Sequence, residues 1–490
     1  MKCLNESIEQ AGALPDYLYI DGERVTDSAL DTIVVEDPGS GTRIATVPAG
    51  DAQNINDAVD AAKRAQHGPW ADIDPKTRGR LLWQAGEAIR AQKQRLALIE
   101  TLDSGKPLRD AEICIDRAAD YFCYYAGIVD KLEGRTVPLG KNKVSFTEFV
   151  PIGVTGHILP WNVPINMVAR SLAPALACGN TAVLKPAEDT PLNALVVVEI
   201  LEQAGIPPGV VNVVSGYGDV AGKALAEHPE VSHVTFTGSV PTGKGVMVAA
   251  AQHVASVTLE LGGKSPHVIL ADADLERAVP DILKAVFSNS GQICSAGTRL
   301  LVEPAIRNAL LDKLVAACAD LSIGHGLGNP DLGPLISARQ LATVSDFTER
   351  AAQRGIEFVA GGKPVTIEDH EQGYYFAPSI AADVPPTDEL ATDELFGPVL
   401  SVIPINGLDE AIEIGNATDY GLAAGIHTRD LNKALRYARG IEAGQVYING
   451  YHGAGDTAPF GGMKQSGVGR EKGLAALSAY YEIKSITVTL

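Results

Sequence analysis

A thiol, a carboxylate and a carboxamide in this sequence sit where chemistry is conceivable. Cys294 stands in Phe-Ser-Asn-Ser-Gly-Gln-Ile-Cys-Ser-Ala-Gly-Thr, where a helical window gives way to small and polar residues. A thiolate there would be a nucleophile, and Gly291 and Gly297 would let the backbone come close to a ligand. The plainer reading is core filler, which suits Cys114, Cys123, Cys178 and Cys318 in their Ala-rich or apolar windows. Glu260, in Val-Thr-Leu-Glu-Leu-Gly-Gly-Lys-Ser, closes an apolar run ahead of paired glycines. Partly desolvated, its pKa would rise toward the range of a general base; turned outward, it would only be solvated. In Ile-Leu-Pro-Trp-Asn-Val-Pro, residues 158–164, two prolines fix the loop. They leave the Asn162 amide as a rigidly placed donor for an oxyanion, with an ordinary Asx-turn as the alternative.

A second set of residues suits a dinucleotide. Gly216-Tyr-Gly218-Asp-Val-Ala221 formally matches the Gly-x-Gly-x-x-Gly/Ala fingerprint, but the acidic residue expected about 20 positions on does not follow a suitable second strand. Phe236-Thr237-Gly238-Ser239 reads better, a strand running into a glycine turn and a helix containing Gly243, whose free N–H groups would face a pyrophosphate. In Leu184-Lys185-Pro186-Ala187-Glu188, Lys185 suits a ribose hydroxyl and Glu188 the adenosine ribose. A carboxylate there repels a 2′-phosphate and favours NAD over NADP; the alternative is a surface Lys/Glu pair.

The elements that must position these residues are legible in outline. The 490 residues suggest roughly three domain-sized units. After a short β-rich start the chain reads as helical. Asp51 caps a helix with Ile55, Ala58, Val59 and Ala62 on one face, ended by Gly68-Pro69; Asp74 and Pro75 open a second, which buries Leu81, Leu82, Ala85 and Ile89. From about 150 to 270, β-rich runs at 181–185, 210–214, 232–237, 257–261 and 267–270 alternate with helical windows at 193–204 and 220–227. That alternation predicts βαβ units and a parallel sheet, which binds ligands at its strand ends. A second α/β stretch follows from about 274 to 470, with helices at 275–288 and 305–321. Residues 131–146 and 478–490 look like strands without a home sheet, an arm toward a neighbouring subunit or a surface hairpin.

Composition narrows the partners. With 46% hydrophobic and 20% charged residues the chain has material for several cores, and the net charge of −20 disfavours nucleic acid and anionic membranes. The opening MKCLNESIEQ lacks the apolar core of a signal peptide, so a cytoplasmic protein is expected. Residues 150–169 carry no charge but too many Pro, Gly and Asn residues to form a clean spanning helix. The cysteines form no Cys-x-x-Cys pair and the histidines no His-Glu-x-x-His, so reduced thiols are expected and no metal is assigned.

In chain order, Pro160-Trp161-Asn162, Lys185-Pro186-x-Glu188, Phe236-Thr237-Gly238-Ser239, Glu260-Leu-Gly-Gly-Lys-Ser265, Gly291-Gln-x-Cys294, Glu394-Leu-Phe-Gly-Pro398 and Pro459-Phe-Gly-Gly-x-Lys464 resemble the aldehyde dehydrogenase superfamily. The resemblance covers essentially the whole chain. It implies an α/β fold with a Rossmann-type NAD-binding domain (1–128 and 147–259), an α/β catalytic domain (260–470) and a small β oligomerisation arm (129–146 and 471–490), assembled as a homodimer or homotetramer. It implies Cys294 as nucleophile, Glu260 as general base, and Asn162 with the Cys294 N–H as oxyanion hole. Cofactor contacts would come from Ile158, Pro160, Trp161, Lys185, Glu188, Gly218, Phe236, Gly238, Ser239, Leu261, Glu394 and Phe396. Substrate contacts would come from Val163, Asn166, Met167, Arg170, Ile293, Ser295, His452 and Phe460. Branches that pass the acyl group to coenzyme A typically lack the glutamate, so Glu260 argues for hydrolysis of the thioester. Val163 departs from the aromatic tunnel of enzymes for small aliphatic aldehydes. Arg170 resembles both semialdehyde and aromatic aldehyde dehydrogenases, and pairs either with a substrate carboxylate or with a protein acid. A small, polar wall at 451–456 suggests a roomy pocket for a carboxylated or aromatic aldehyde. Two other readings are a cysteine acyl hydrolase without redox chemistry, which leaves the dinucleotide motifs unexplained, and an inactive homologue, against which the joint presence of Cys294, Glu260 and Asn162 counts.

Overall fold

The computed structural model describes residues 2–451, 453 and 455–490. Asp51 caps the helix Ala52–Gln66 reciprocally with Asn54, and Ile55, Ala58, Val59 and Ala62 are buried beneath it. Asp74 caps Pro75–Ala91; the chain then re-enters helix at Lys93–Ser104, stops at left-handed Gly105, and continues as Leu108–Ala126. The start differs from the β-rich expectation. A helix, Lys2–Ala11, packs Leu4 and Ala11 into the first core before the strands Leu18–Ile20 and Glu23–Val25 begin.

Among the described residues, eight strands form the first sheet, and five parallel ones make its centre. Their spatial order is Val211–Val213, Thr181–Lys185, Val154–Ile158, Val231–Thr237 and Ser256–Glu260. The chain builds away from Val154–Ile158 to one side and then crosses over to continue on the other. Strand order therefore reverses between Val154–Ile158 and Val231–Thr237, and a crevice opens beyond their carboxyl ends. Sheet strands covered on both faces read as continuous apolar runs, which is why Thr181–Lys185 shows no alternation.

The second sheet orders Glu357–Ala360, Ser379–Ala382, Val399–Pro404, Arg299–Val302, Pro266–Ile269, Ala423–His427 and Gln445–Ile448, parallel except for its first strand. The short strand Gly467–Val468 joins the other sheet antiparallel to Ser256–Glu260, placing Gly467 opposite Glu260. Only glycine fits there, since a Cβ would lie 2.1 Å from the Leu259 carbonyl oxygen.

The two strands without a home sheet make one together. Lys143–Pro151 pairs antiparallel with Tyr481–Thr489, and Thr136–Val137 adds a third, outer strand. Ile483 and Val488 on this extension are exposed. The architecture is thus α/β, with a Rossmann-type sheet, a second largely parallel sheet and a small β extension. Among the described residues no helix is long and apolar enough to cross a membrane.

Candidate active site

A cavity of about 770 Å³ opens at the crevice, and Asn162, Glu260 and Cys294 all line it. Asn162 lies in the turn that follows Val154–Ile158, Glu260 ends the strand Ser256–Glu260, and Cys294 follows the helix Leu275–Phe287. Between that helix and Cys294 the chain takes Asn289 and Ser290 at φ 51° and 55°. Left-handed geometry in such residues is costly and must be held by neighbours. Asn289 Nδ2 donates to the Asn162 carbonyl at 3.0 Å, Ser290 Oγ to the Gly333 carbonyl at 2.8 Å, and the Ile336 N–H to Gln292 Oε1 at 2.9 Å. Asn162 Nδ2 donates to the Gln292 carbonyl at 3.0 Å, so the carboxamide is tied directly to the thiol's own loop.

Gly291 and Gly297 have a different purpose from the one their positions suggest. A Cβ on Gly291 would stand 2.2 Å from the Gly397 carbonyl oxygen, and one on Gly297 would stand 3.1 Å from the Tyr451 ring. They admit protein neighbours, not a ligand. Tyr451 then donates to the Ser295 carbonyl at 2.9 Å. Burial pushes the Cys294 thiol up to about 12, against the downward pull of Arg170 and of the Ser295 backbone N–H. At rest, Cys294 is a thiol.

Glu260 is buried, not solvated, and neither of its oxygens has a hydrogen-bond partner among the described residues. Burial raises its pKa well above the ordinary carboxylate value; Arg170 draws it back down and Glu471 pushes it up again. Arg170, on the helix Pro164–Ala177, holds Nη2 3.7 Å from Glu260 and Nε 2.5 Å from Glu471, with its guanidinium carbon 4.4 Å from the centre of the Phe460 ring. Of the two partners open to Arg170, the structure contains the protein acid.

Pro160, Trp161, Gly238, Ser239, Leu261, Glu394 and Phe396 line the same cavity. Phe396, at φ 57°, meets Trp161 edge-on at 5.3 Å, and Gln340 Nε2 holds the carbonyls of Leu395 and Phe396. Glu394 accepts from the Gly263 N–H at 3.0 Å, and burial raises its pKa to about 7. Ser239 caps the helix Val240–Ala251, and next to it the buried Thr237 Oγ1 lacks a hydrogen-bond partner among the described residues. Ile158, Lys185, Glu188, Gly218 and Phe236 lie outside the cavity lining. Lys185 Nζ sits 3.3 Å from Glu188 and is itself buried, so this is not a surface pair. Gly218 opens the helical turn Gly218–Gly222, and a Cβ on Gly222 would touch the Lys185 stem at 3.5 Å. The Phe236 ring folds beneath Gly238, where a Cβ would come within 2.5 Å.

Val163, Asn166, Met167, Arg170, Ile293, Ser295 and Phe460 all line the cavity, whereas His452 lies outside the described residues. Sequence reasoning missed one wall. The helix Leu108–Ala126 contributes Asp110, Ile113, Cys114, Arg117 and Tyr121, spaced three or four apart on one face. That mixed-polarity stripe was the available signal. Cys114 is accordingly a cavity residue and not simple core filler, with its sulfur 3.7 Å from Lys106 Nζ.

A model of the aldehyde dehydrogenase family matches residues 25–486. The chain belongs to this family. It is 40% identical to a hydroxyisobutyraldehyde dehydrogenase of Mycolicibacterium austroafricanum over all of this chain and 97% of that protein. It is 41% identical to retinaldehyde dehydrogenase 3 of Mus musculus over 92% of this chain and 89% of that one. Among solved structures, betaine aldehyde dehydrogenase of Staphylococcus aureus in complex with NAD+ superposes with a TM-score of 0.97 at 34% identity, covering 100% and 98% of the two chains. The NAD+ complex of an aldehyde dehydrogenase from Bacillus cereus gives 0.96 at 38% identity, over 99% and 98%.

Proposed function

We propose that this aldehyde dehydrogenase oxidises a polar aldehyde to its carboxylic acid with NAD, using Cys294 as nucleophile, Glu260 as general base, and Asn162 with the Cys294 N–H as oxyanion donors. The observation that carries the reading is the convergence of the three side chains on one cavity at the reversal of strand order. Because burial keeps Cys294 protonated, the thiol must give up its proton to solvent as it adds to the aldehyde carbon, which leaves the Glu260 carboxylate, one of the acids lining the cavity, free to act in the later hydrolysis. The carbonyl oxygen, gaining charge, would be met by donors already in place. NAD, when bound, supplies the hydride acceptor. The acyl group left on the Cys294 sulfur is then hydrolysed by a water that Glu260 deprotonates, and the thiol is restored.

The residues present suit NAD. Thr237 Oγ1 is an unpartnered buried donor, the capped helix Val240–Ala251 offers free N–H groups to a pyrophosphate, and Glu188 disfavours a 2′-phosphate. Relatives of this fold bind NAD+. In this reading 1–128 and 147–259 form the cofactor domain and 260–470 the catalytic domain. The segments 129–146 and 471–490 join copies into a dimer or tetramer. The substrate is a carboxylated or an aromatic aldehyde.

The test is formation of reduced nicotinamide with succinic semialdehyde, a benzaldehyde and short aliphatic aldehydes, each with NAD and with NADP. The expected result is a rate with NAD that Cys294→Ala abolishes, by a factor on the order of 10⁴ or more, while NAD binding persists. Acid released from a thioester substrate with no reduced cofactor from any aldehyde would instead favour the hydrolase.

A further inference from the structure

The cations lining the cavity differ in whether the protein neutralises them. Lys106 is paired with Glu100 at 2.9 Å and Arg170 with Glu471 at 2.5 Å. Lys472 also lines the cavity, yet among the described residues no carboxylate lies within 4.0 Å of its ammonium group. Its position is nonetheless built. The preceding residue, Glu471, exchanges both backbone hydrogen bonds with Phe460 at 2.7 Å, and the following one, Gly473, accepts from the Tyr125 hydroxyl at 3.0 Å. Lys472 itself is left-handed at φ 63°, a strained state in a residue with no ion partner. Burial pulls its pKa down to about 8, with Arg170 and Arg117 pushing the same way and Asp456 and Glu471 opposing them. Lys472 thus brings to the cavity wall an ammonium group with no carboxylate in contact with it among the described residues. Phe460, the aromatic ring beside this charge, already carries the Arg170 guanidinium at 4.4 Å and the Lys472 ammonium at 5.1 Å, which disfavours stacking of an aromatic substrate.

We propose that Lys472 binds the distal carboxylate of a semialdehyde substrate, with Arg117 drawing the anion into the cavity and Glu471 barring Arg170 from that role. The proposal rests on the aldehyde-oxidising reading and selects the carboxylated class within it. A charge-assisted hydrogen bond in a partly desolvated site discriminates by a factor of ten or more.

The test compares wild type, Lys472→Met and Lys472→Arg with succinic semialdehyde, with butanal, and in calorimetric titration with succinate in the absence of turnover. Lys472→Met is expected to raise KM for succinic semialdehyde at least about tenfold and to weaken succinate by a similar factor, with little change toward butanal. Lys472→Arg should recover most of both, and unchanged melting temperatures exclude misfolding. If wild type prefers the semialdehyde and Lys472→Met keeps that preference, Lys472 is wrong and the substrate class stands. If wild type neither prefers the semialdehyde nor binds succinate, the substrate class falls with it. If no aldehyde is oxidised but succinate binds in a Lys472-dependent way, the oxidation reading fails while the anion site stands.

Discussion

Two buried glutamates bear on the same helix, Pro164–Ala177, and are treated in opposite ways. Glu100 accepts from Lys106 Nζ at 2.9 Å, from Asn193 Nδ2 at 2.7 Å and from the Ile165 N–H at 3.3 Å, so both oxygens are satisfied where the helix begins. Glu260 makes no hydrogen bond to a described residue and has Arg170, one turn and more along the helix, only at 3.7 Å. A fully bonded buried charge fixes its surroundings. A buried carboxylate without donors has a raised affinity for a proton, which suits a group that must take one from water. The first glutamate holds the helix that carries Arg170; the second uses what that helix delivers.

Replacing each glutamate's chemistry should separate these roles. Glu260→Gln is expected to lower steady-state turnover by about 10²–10⁴-fold, with the first burst of reduced nicotinamide retained and the melting temperature unchanged or raised, because a buried carboxylate without hydrogen-bond donors disappears. Rapid mixing and thermal melting read both. Loss of the burst together with a large fall in melting temperature would put Glu260 in the same class as Glu100.

Lys106→Met works on the other side of the comparison. It leaves Glu100 charged and buried without its cation, at an expected loss of about 3–5 kcal/mol. Pairing it with Glu100→Gln, which removes the stranded charge, should recover most of that loss. Denaturant unfolding of the single and double variants measures both, and a single variant as stable as wild type would remove the scaffold role.

How much of this was legible in the sequence depends on how local each cause is. The strand expected at 232–237 is Val231–Thr237 and the helix expected at 275–288 is Leu275–Phe287, because apolar periodicity acts within a few residues, as do the caps at Asp51 and Asp74 on the two earlier helices. Cys294, Glu260 and Asn162 were nameable because loops at strand ends declare themselves by Pro and Gly. The partner of Arg170 was not, since Glu471 lies far along the chain and reaches the site only through its backbone pairing with Phe460. The same holds for the strand Tyr481–Thr489. Its alternation was visible, but its partner Lys143–Pro151 is fixed by tertiary register. Lys106, beside the left-handed Gly105 that ends a helix, carries no local signal of burial, and only packing places it against Glu100 and Cys114. Gly291 and Gly297 show the limit of a correct residue-level inference. Close approach was right, and what approaches is protein.

The smallest expected effect sharpens the contrast through the thiol. Cys294 stays mainly protonated up to a pKa of about 12, so its thiolate fraction, and with it the rate of alkylation by iodoacetamide in the free enzyme, should rise about tenfold per pH unit across neutral and mildly alkaline pH. A charged Glu260 raises that pKa and Arg170 lowers it. Removing the Glu260 charge therefore lowers the thiol pKa and increases the thiolate present at a given pH. At about pH 9 the Glu260→Gln variant should alkylate a few times faster than wild type. The Glu100–Lys106 pair does not figure among the influences on this thiol, so the Lys106→Met, Glu100→Gln enzyme should alkylate at the wild-type rate. Equal acceleration in both variants would mean that the reactivity of Cys294 follows general loosening of the cavity and not the charge beside it.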